Sequence, residues 1–176
     1  MIRMVRGGTP LVVGFGENSI DYVYRLPRLP RSDRLDSKIE IARRDVRPGG
    51  QVATTLAACA RLGARARYLG AVGNDAGAAL VRQELETRGV DVGHAIVRAA
   101  PNRYAVILVD ADGERLVLWE RDPRLNVPPA DVREDWLADA SLVHIDGSDP
   151  DAALAIARIA RHHRLPVTTD FDAATP

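Results

Sequence analysis

The sequence holds one cysteine, Cys59, so no disulfide can close within the chain, and a reducing, cytoplasmic setting is expected. It holds one lysine, Lys38, and its 24 basic residues are matched by 24 acidic ones, giving a formal charge of 0. With no excess of either sign there is no long-range field to gather a polyanion, and nucleic acid is not an expected partner. No apolar run reaches the length of a bilayer span, and Gly7, Gly8 and Pro10 interrupt the short apolar start before any cleavable small-residue site, so no membrane partner is expected. A G-x-S-x-G elbow is missing, which leaves Ser19, Ser148 and Thr54 without a readable hydrolase triad. Lys38 lacks the glycines of a phosphate loop, and "GFGENS" has a serine where a dinucleotide fingerprint needs its third glycine. His94, His144, His162 and His163 fall at no ligand-like spacing with Cys59, so no metal site is expected.

What remains is enough to fill one core: 176 residues, 46% of them hydrophobic. "PLVVGFG" reads as a buried strand entering a turn, and "SIDYVYRL" alternates with the two-residue period of a half-exposed strand. Ile39 and Ile41 suggest a further short strand within 38–46. From Gln51 the period becomes helical through Val52, Leu56 and Cys59 until Gly63, and "ARARYLGAVG" returns to strand. Asn74 or Asp75 can cap a second helix that turns Leu80, Val81 and Leu85 inward and stops at Gly89. This strand–helix rhythm predicts a parallel sheet with helical crossovers. "YAVILVD" and "RLVLW" around Asp112 and Gly113 then predict a hairpin. Asp131 and Glu134 have the spacing of a capping box before Val132, Trp136 and Leu137. "SLVHIDGSD" reads as strand and turn, Pro150 as the first residue of a helix carrying Ile156, Ile159, Ala160 and His163 on one stripe, and "LPVTTDFD" as a last strand.

Glycine turns at Gly14 and Gly16, Gly49 and Gly50, and Gly70 and Gly73 stand where strands hand over, the places where α/β sheets bind small molecules. Asp21 lies close enough to the first turn to accept hydroxyl hydrogen bonds from a polyol, with an exposed strand-face acid as the alternative. Gly49 and Gly50 precede a helix whose amino terminus can grip a polar ligand, the alternative being a plain turn. Arg103 and Arg121 flank the hairpin, where a solvated guanidinium is expected and an anion contact is the other reading.

The ordered run from Gly49 to Leu80, "GG", a small-residue helix, "RLG" and "YLGAVGNDAGAAL", resembles the first signature of the ribokinase-like, or PfkB, family of carbohydrate kinases. "VVGFGENSID" is similar to that family's opening strand and its substrate-reading aspartate, "YAVILVDADGERLVLW" to its lid strands, and "HIDG" and "VTTDFD" to later strands of its first half. The resemblance covers about residues 10–173. It implies an α/β fold, an open and mostly parallel sheet with crossover helices and a small β lid, C-terminally truncated. Residues 1–176 would form a partial domain with lid strands within 19–46 and 95–120.

The same resemblance implies an ATP-dependent kinase acting on a sugar hydroxyl, with Asp21, Gly49, Gly50 and Thr54 as substrate-binding residues. Thr54 stands where the family usually has asparagine. ATP and Mg²⁺ are implied for a full-length relative, but the G-x-G-D catalytic segment is not in these residues. "GNDAG" at Gly73–Gly77 belongs to the first signature, and neither Asp170 nor Asp172 can be assigned as catalyst. No catalytic residue is therefore named, the nucleotide site is largely absent, and the chain alone is expected to be inactive. The expected partners are a small sugar or nucleoside and a second copy through the lid. A non-catalytic sugar- or nucleoside-binding remnant, or a structural or oligomerisation fragment, are the alternatives.

Overall fold

The computed structural model describes residues 8–31 and 38–171. Its strands and helices follow in the order β1 (Leu11–Phe15), β2 (Ser19–Arg25), β3 (Arg43–Gly49), α1 (Gln51–Arg61), β4 (Arg65–Leu69), β5 (Ala71–Val72), α2 (Ala76–Thr87), β6 (Val90–Asp91), β7 (Ile96–Val97), β8 (Tyr104–Val109), β9 (Arg115–Glu120), β10 (Leu142–Asp146), α3 (Pro150–His162) and β11 (Val167–Asp170). Five strands make the main sheet in the order β11-β10-β1-β4-β6, all parallel. A second sheet, β3-β2-β8-β9, pairs β2 with β8 in parallel and its outer strands antiparallel. The α/β fold with a mostly parallel sheet and crossover helices is thus the one the sequence predicts.

Alternation along β1, β4 and β10 decides which helix each strand residue meets. Val13, Phe15, Val143 and Ile145 join Ala152, Ile156 and Ala160 of α3 on one side, together with Trp136 and Leu137. Tyr68 and Ala66 meet Val52 and Leu56 of α1 and Val81 and Leu85 of α2 on the other. Gly14 lies under α1, where a side chain would strike Val52 and Leu56. Asp75 caps α2 as predicted, its Oδ1 accepting from the Ala78 N–H at 2.8 Å.

Several expectations need correction. The strand expected within 38–46 starts at Arg43 and runs on to Gly49, so the glycine pair closes a strand; residues 32–37 and Asp172 lie outside the described residues. Leu80 is 39% exposed, because α2 buries only the narrower stripe of Ala78, Val81 and Leu85. Asp131 and Glu134 form no capping box. Pro128 and Pro129 favour tight 3-10 turns there, and the two acids bind distant partners, Arg98 and His163. That pairing leaves His163 exposed past the end of α3 rather than on its apolar stripe.

Candidate functional site

The carboxyl ends of β1, β4 and β10 converge beside the base of the second sheet, the edge at which open parallel sheets take ligands. Asn18, Ser19, Asn102, Asp146 and Asp149 are all buried. Asp146 ends β10 with 0% exposure and accepts from the Glu17 N–H at 2.7 Å, the Ser148 N–H at 3.0 Å and the Ser148 hydroxyl at 2.6 Å. Three donors on one carboxylate compensate its loss of water.

Arg103, just before β8, pairs with Glu17 at 3.1 Å. Arg121, just after β9, pairs with Asp149 at 2.6 Å and donates to the carbonyls of Ser148 and Leu125. Both arginine side chains are only 16% and 15% exposed, so neither is the solvated guanidinium expected from sequence. Together they fasten both ends of the β8–β9 hairpin to the main sheet. Burial raises the Glu17 carboxyl above its ordinary range, and Arg103 offsets part of that shift. A cavity of about 10 Å³ between Glu17, Asn18, Arg103 and Arg121 has room for one water.

A second chain of hydrogen bonds runs from β1 to the second sheet. The Tyr68 hydroxyl donates to the Gly16 carbonyl at 2.8 Å and accepts from Asn18 Nδ2 at 2.7 Å. Asn18 Oδ1 accepts from Asn102 Nδ2 at 2.9 Å, and Asn102 Oδ1 accepts from the Gly73 N–H at 3.0 Å. Burial pushes the Tyr68 phenol well above its usual range, so it stays a neutral donor. Tyr68→Phe removes that donor from a fully buried site and leaves the Gly16 carbonyl unpaired. A loss of about 1–3 kcal/mol in unfolding free energy is expected by urea titration.

Against this frame sit the residues the sequence singled out. Asp21 is half-buried on β2, and its Oδ1 accepts from the Ser19 hydroxyl at 2.6 Å. Its other oxygen lies against Gly49, where an added Cβ would come within 2.1 Å of it, so only glycine admits the carboxylate there. Gly50 follows at φ 95° and begins α1, whose amino terminus no side chain caps. The Ala53 N–H of this first turn donates to the Glu17 carbonyl at 3.2 Å, and the partial positive charge of the helix start stands next to the Asp21 side of the second sheet. Thr54 is exposed on the first turn of α1, its N–H bonded to the Gly50 carbonyl at 2.9 Å. The fold therefore gathers Asp21, Gly49 and Gly50 closely, with Thr54 one turn further along.

Sequence reasoning missed Asp146, Glu17, Asn18 and Asn102. An acid closing an apolar strand before glycine and serine, as in "HIDGS", was the available signal for Asp146. Among the described residues no three His, Cys, Asp or Glu groups gather to hold a metal ion. The cleft of about 590 Å³ beside Glu134, Asp139, His163 and Leu165 lies at the opposite, amino ends of β10 and β11. No helix among the described residues is long and apolar enough to cross a membrane.

Comparison with known proteins finds relatives among sugar kinases. The ATP-dependent ribose-1-phosphate kinase of Halopiger xanaduensis is 36% identical over 162 residues, covering 92% of this chain and 53% of that protein. Fructokinase-1 of Oryza sativa subsp. japonica is 30% identical over 141 residues, 78% of this chain and 42% of its own. The crystal structure of ribokinase from Cryptococcus neoformans in complex with ADP superposes with a TM-score of 0.79 at 26% identity, covering 97% of this chain and 52% of that one. The chain thus spans about half the length of the relatives it matches. The profile of the pfkB family carbohydrate kinases matches residues 9–175, and the chain belongs to that family.

Proposed function

We propose that this chain is the acceptor-binding part of an ATP-dependent sugar kinase, with Asp21 as the hydroxyl acceptor and the second sheet as a lid over the bound sugar. The observation that carries the reading is the Asp21 carboxylate seated on Gly49 beside the uncapped start of α1. A carboxylate accepts hydrogen bonds from two neighbouring hydroxyls, and the α1 N–H groups donate to a third oxygen of the same polyol. Thr54 offers one hydroxyl where an amide would offer both a donor and an acceptor, which alters how the sugar is held. The relatives named as a ribose-1-phosphate kinase and a fructokinase support a sugar as the acceptor class proposed here. In the family ATP supplies the phosphoryl group with Mg²⁺, and the residues proposed here act on the acceptor side of that reaction.

Leu116 and Leu118 are 43% and 53% exposed on the face of β9 turned away from Asp21, and this is where a second copy of the chain would meet the lid.

Calorimetric titration with D-ribose, D-fructose and ribose 1-phosphate tests the reading. At least one sugar is expected to bind, and Asp21→Asn is expected to weaken it about 30-fold or more by removing the charged acceptor. No phosphoryl transfer from ATP with Mg²⁺ is expected from these 176 residues alone. No binding of any sugar, or transfer by the 176-residue chain itself, overturns the assignment.

A further inference from the structure

The register of the second sheet sets Arg47, Asp21, Ala105 and Trp119 in one row across its four strands. Residues in such a row point to the same face, so the Trp119 indole shares the face of the Asp21 carboxylate. Between them on that row stands only the buried methyl of Ala105, 3% exposed. Trp119 itself is 63% exposed, whereas the second tryptophan, Trp136, is 5% exposed and belongs to the core. This large apolar ring, on the face that carries the acceptor aspartate, belongs to neither core cluster.

The ring is also held in place. Arg103 lies over it, its guanidinium carbon 5.4 Å from the ring centroid, and Arg103 is fixed in turn to Glu17 at 3.1 Å. Glu17 is anchored through its own N–H to Asp146. The indole orientation is thereby set from the main sheet, which lowers the entropy lost on binding a ligand. Asp21 and Trp119 stand two strands apart, about 10 Å between strand axes. A span of that order suits one ring sugar that meets a carboxylate through its hydroxyls and an indole through its carbons.

We propose that Trp119 is a ring platform of the acceptor site: its indole stacks on the apolar face of the sugar ring whose hydroxyls Asp21 accepts, so the site selects cyclic acceptors over open-chain polyols. The proposal rests on the acceptor-site reading above.

The test is calorimetric binding of D-ribose and D-fructose, with ribitol and mannitol as open-chain probes, to the 176-residue chain and to Trp119→Ala, Trp119→Phe and Asp21→Asn. Trp119→Ala is expected to weaken the ring sugars about tenfold while changing the open-chain polyols about twofold or less, and Trp119→Phe to restore most of the loss. In a Trp136→Phe background, Trp119 emission is expected to shift on saturation with ring sugar. Equal affinity of Trp119→Ala for ring sugars, with Asp21→Asn still losing them, overturns this inference and leaves the acceptor site standing. Failure of the unmodified chain to bind any sugar overturns both. An emission shift with protein concentration alone assigns the ring to a contact between copies and likewise overturns the platform.

Discussion

Replacement of Asp146 by alanine is expected to lower the unfolding free energy by about 3–5 kcal/mol, read as a fall in the urea midpoint at unchanged slope. The carboxylate is wholly buried and serves the N–H groups of Glu17 and Ser148 and the Ser148 hydroxyl. In the alanine variant the hydroxyl can re-aim, but two backbone donors cannot, and each unpaired buried donor costs about 1–3 kcal/mol. The unpaired groups sit at the ends of β1 and β10, so the turns that present Glu17 and Asp149 loosen, and with them the partners of Arg103 and Arg121. Asp146→Asn keeps one acceptor oxygen and is expected to lose about half as much. A loss under about 1 kcal/mol for alanine would show that water reaches these donors and that Asp146 does not hold the two strand ends together.

The period of Val52 and Leu56, the Asp75 cap and the Pro150 start are local patterns, and each element formed where its pattern stood. Asp131 and Glu134 carried an equally local pattern, yet the neighbouring prolines set a 3-10 turn and remote charges took both acids. Arg103 and Arg121 looked like solvent-facing charges because Glu17 and Asp149, which bury them, are distant in the chain. Asp146 was hidden in part for a related reason: Ser148, two residues on, supplies two of its donors, but the third comes from Glu17 at the end of β1.

Asp21 and the glycine pair were singled out because the ordered signature from Gly49 to Leu80 is long, although their contact arises only through the pairing of β2 with β3. What the sequence did not show is the row from Asp21 to Trp119, which exists only through the pairing of β2 with β8 and of β8 with β9. Nor did it show that Asn18 and Asn102 bridge the β1 turn to the base of the second sheet. A face of a sheet is a property of register, and register is set by partners the chain meets after long excursions.

Gly50→Ala is expected to cost about 4 kcal/mol or more and to abolish sugar binding with it. Two penalties add. At φ 95° an alanine is strained by about 1–3 kcal/mol wherever it is placed. In addition its Cβ would lie 2.5 Å from the Asn18 Cα and 2.7 Å from the Glu17 carbonyl oxygen, both backbone atoms that no rotamer change can move. Relief requires the β1–β2 turn to retreat from α1, which stretches the Ala53 N–H bond to the Glu17 carbonyl and pulls Asn18 from Tyr68 and Asn102. Gly63→Ala separates the two penalties, because Gly63 has φ 92° but no atom within 4 Å of a Cβ. Urea titration of both variants should show Gly50→Ala losing about 2 kcal/mol more than Gly63→Ala. Equal losses would mean that the turn yields freely, and that close backbone packing does not fix the start of α1 against the Asp21 side of the site.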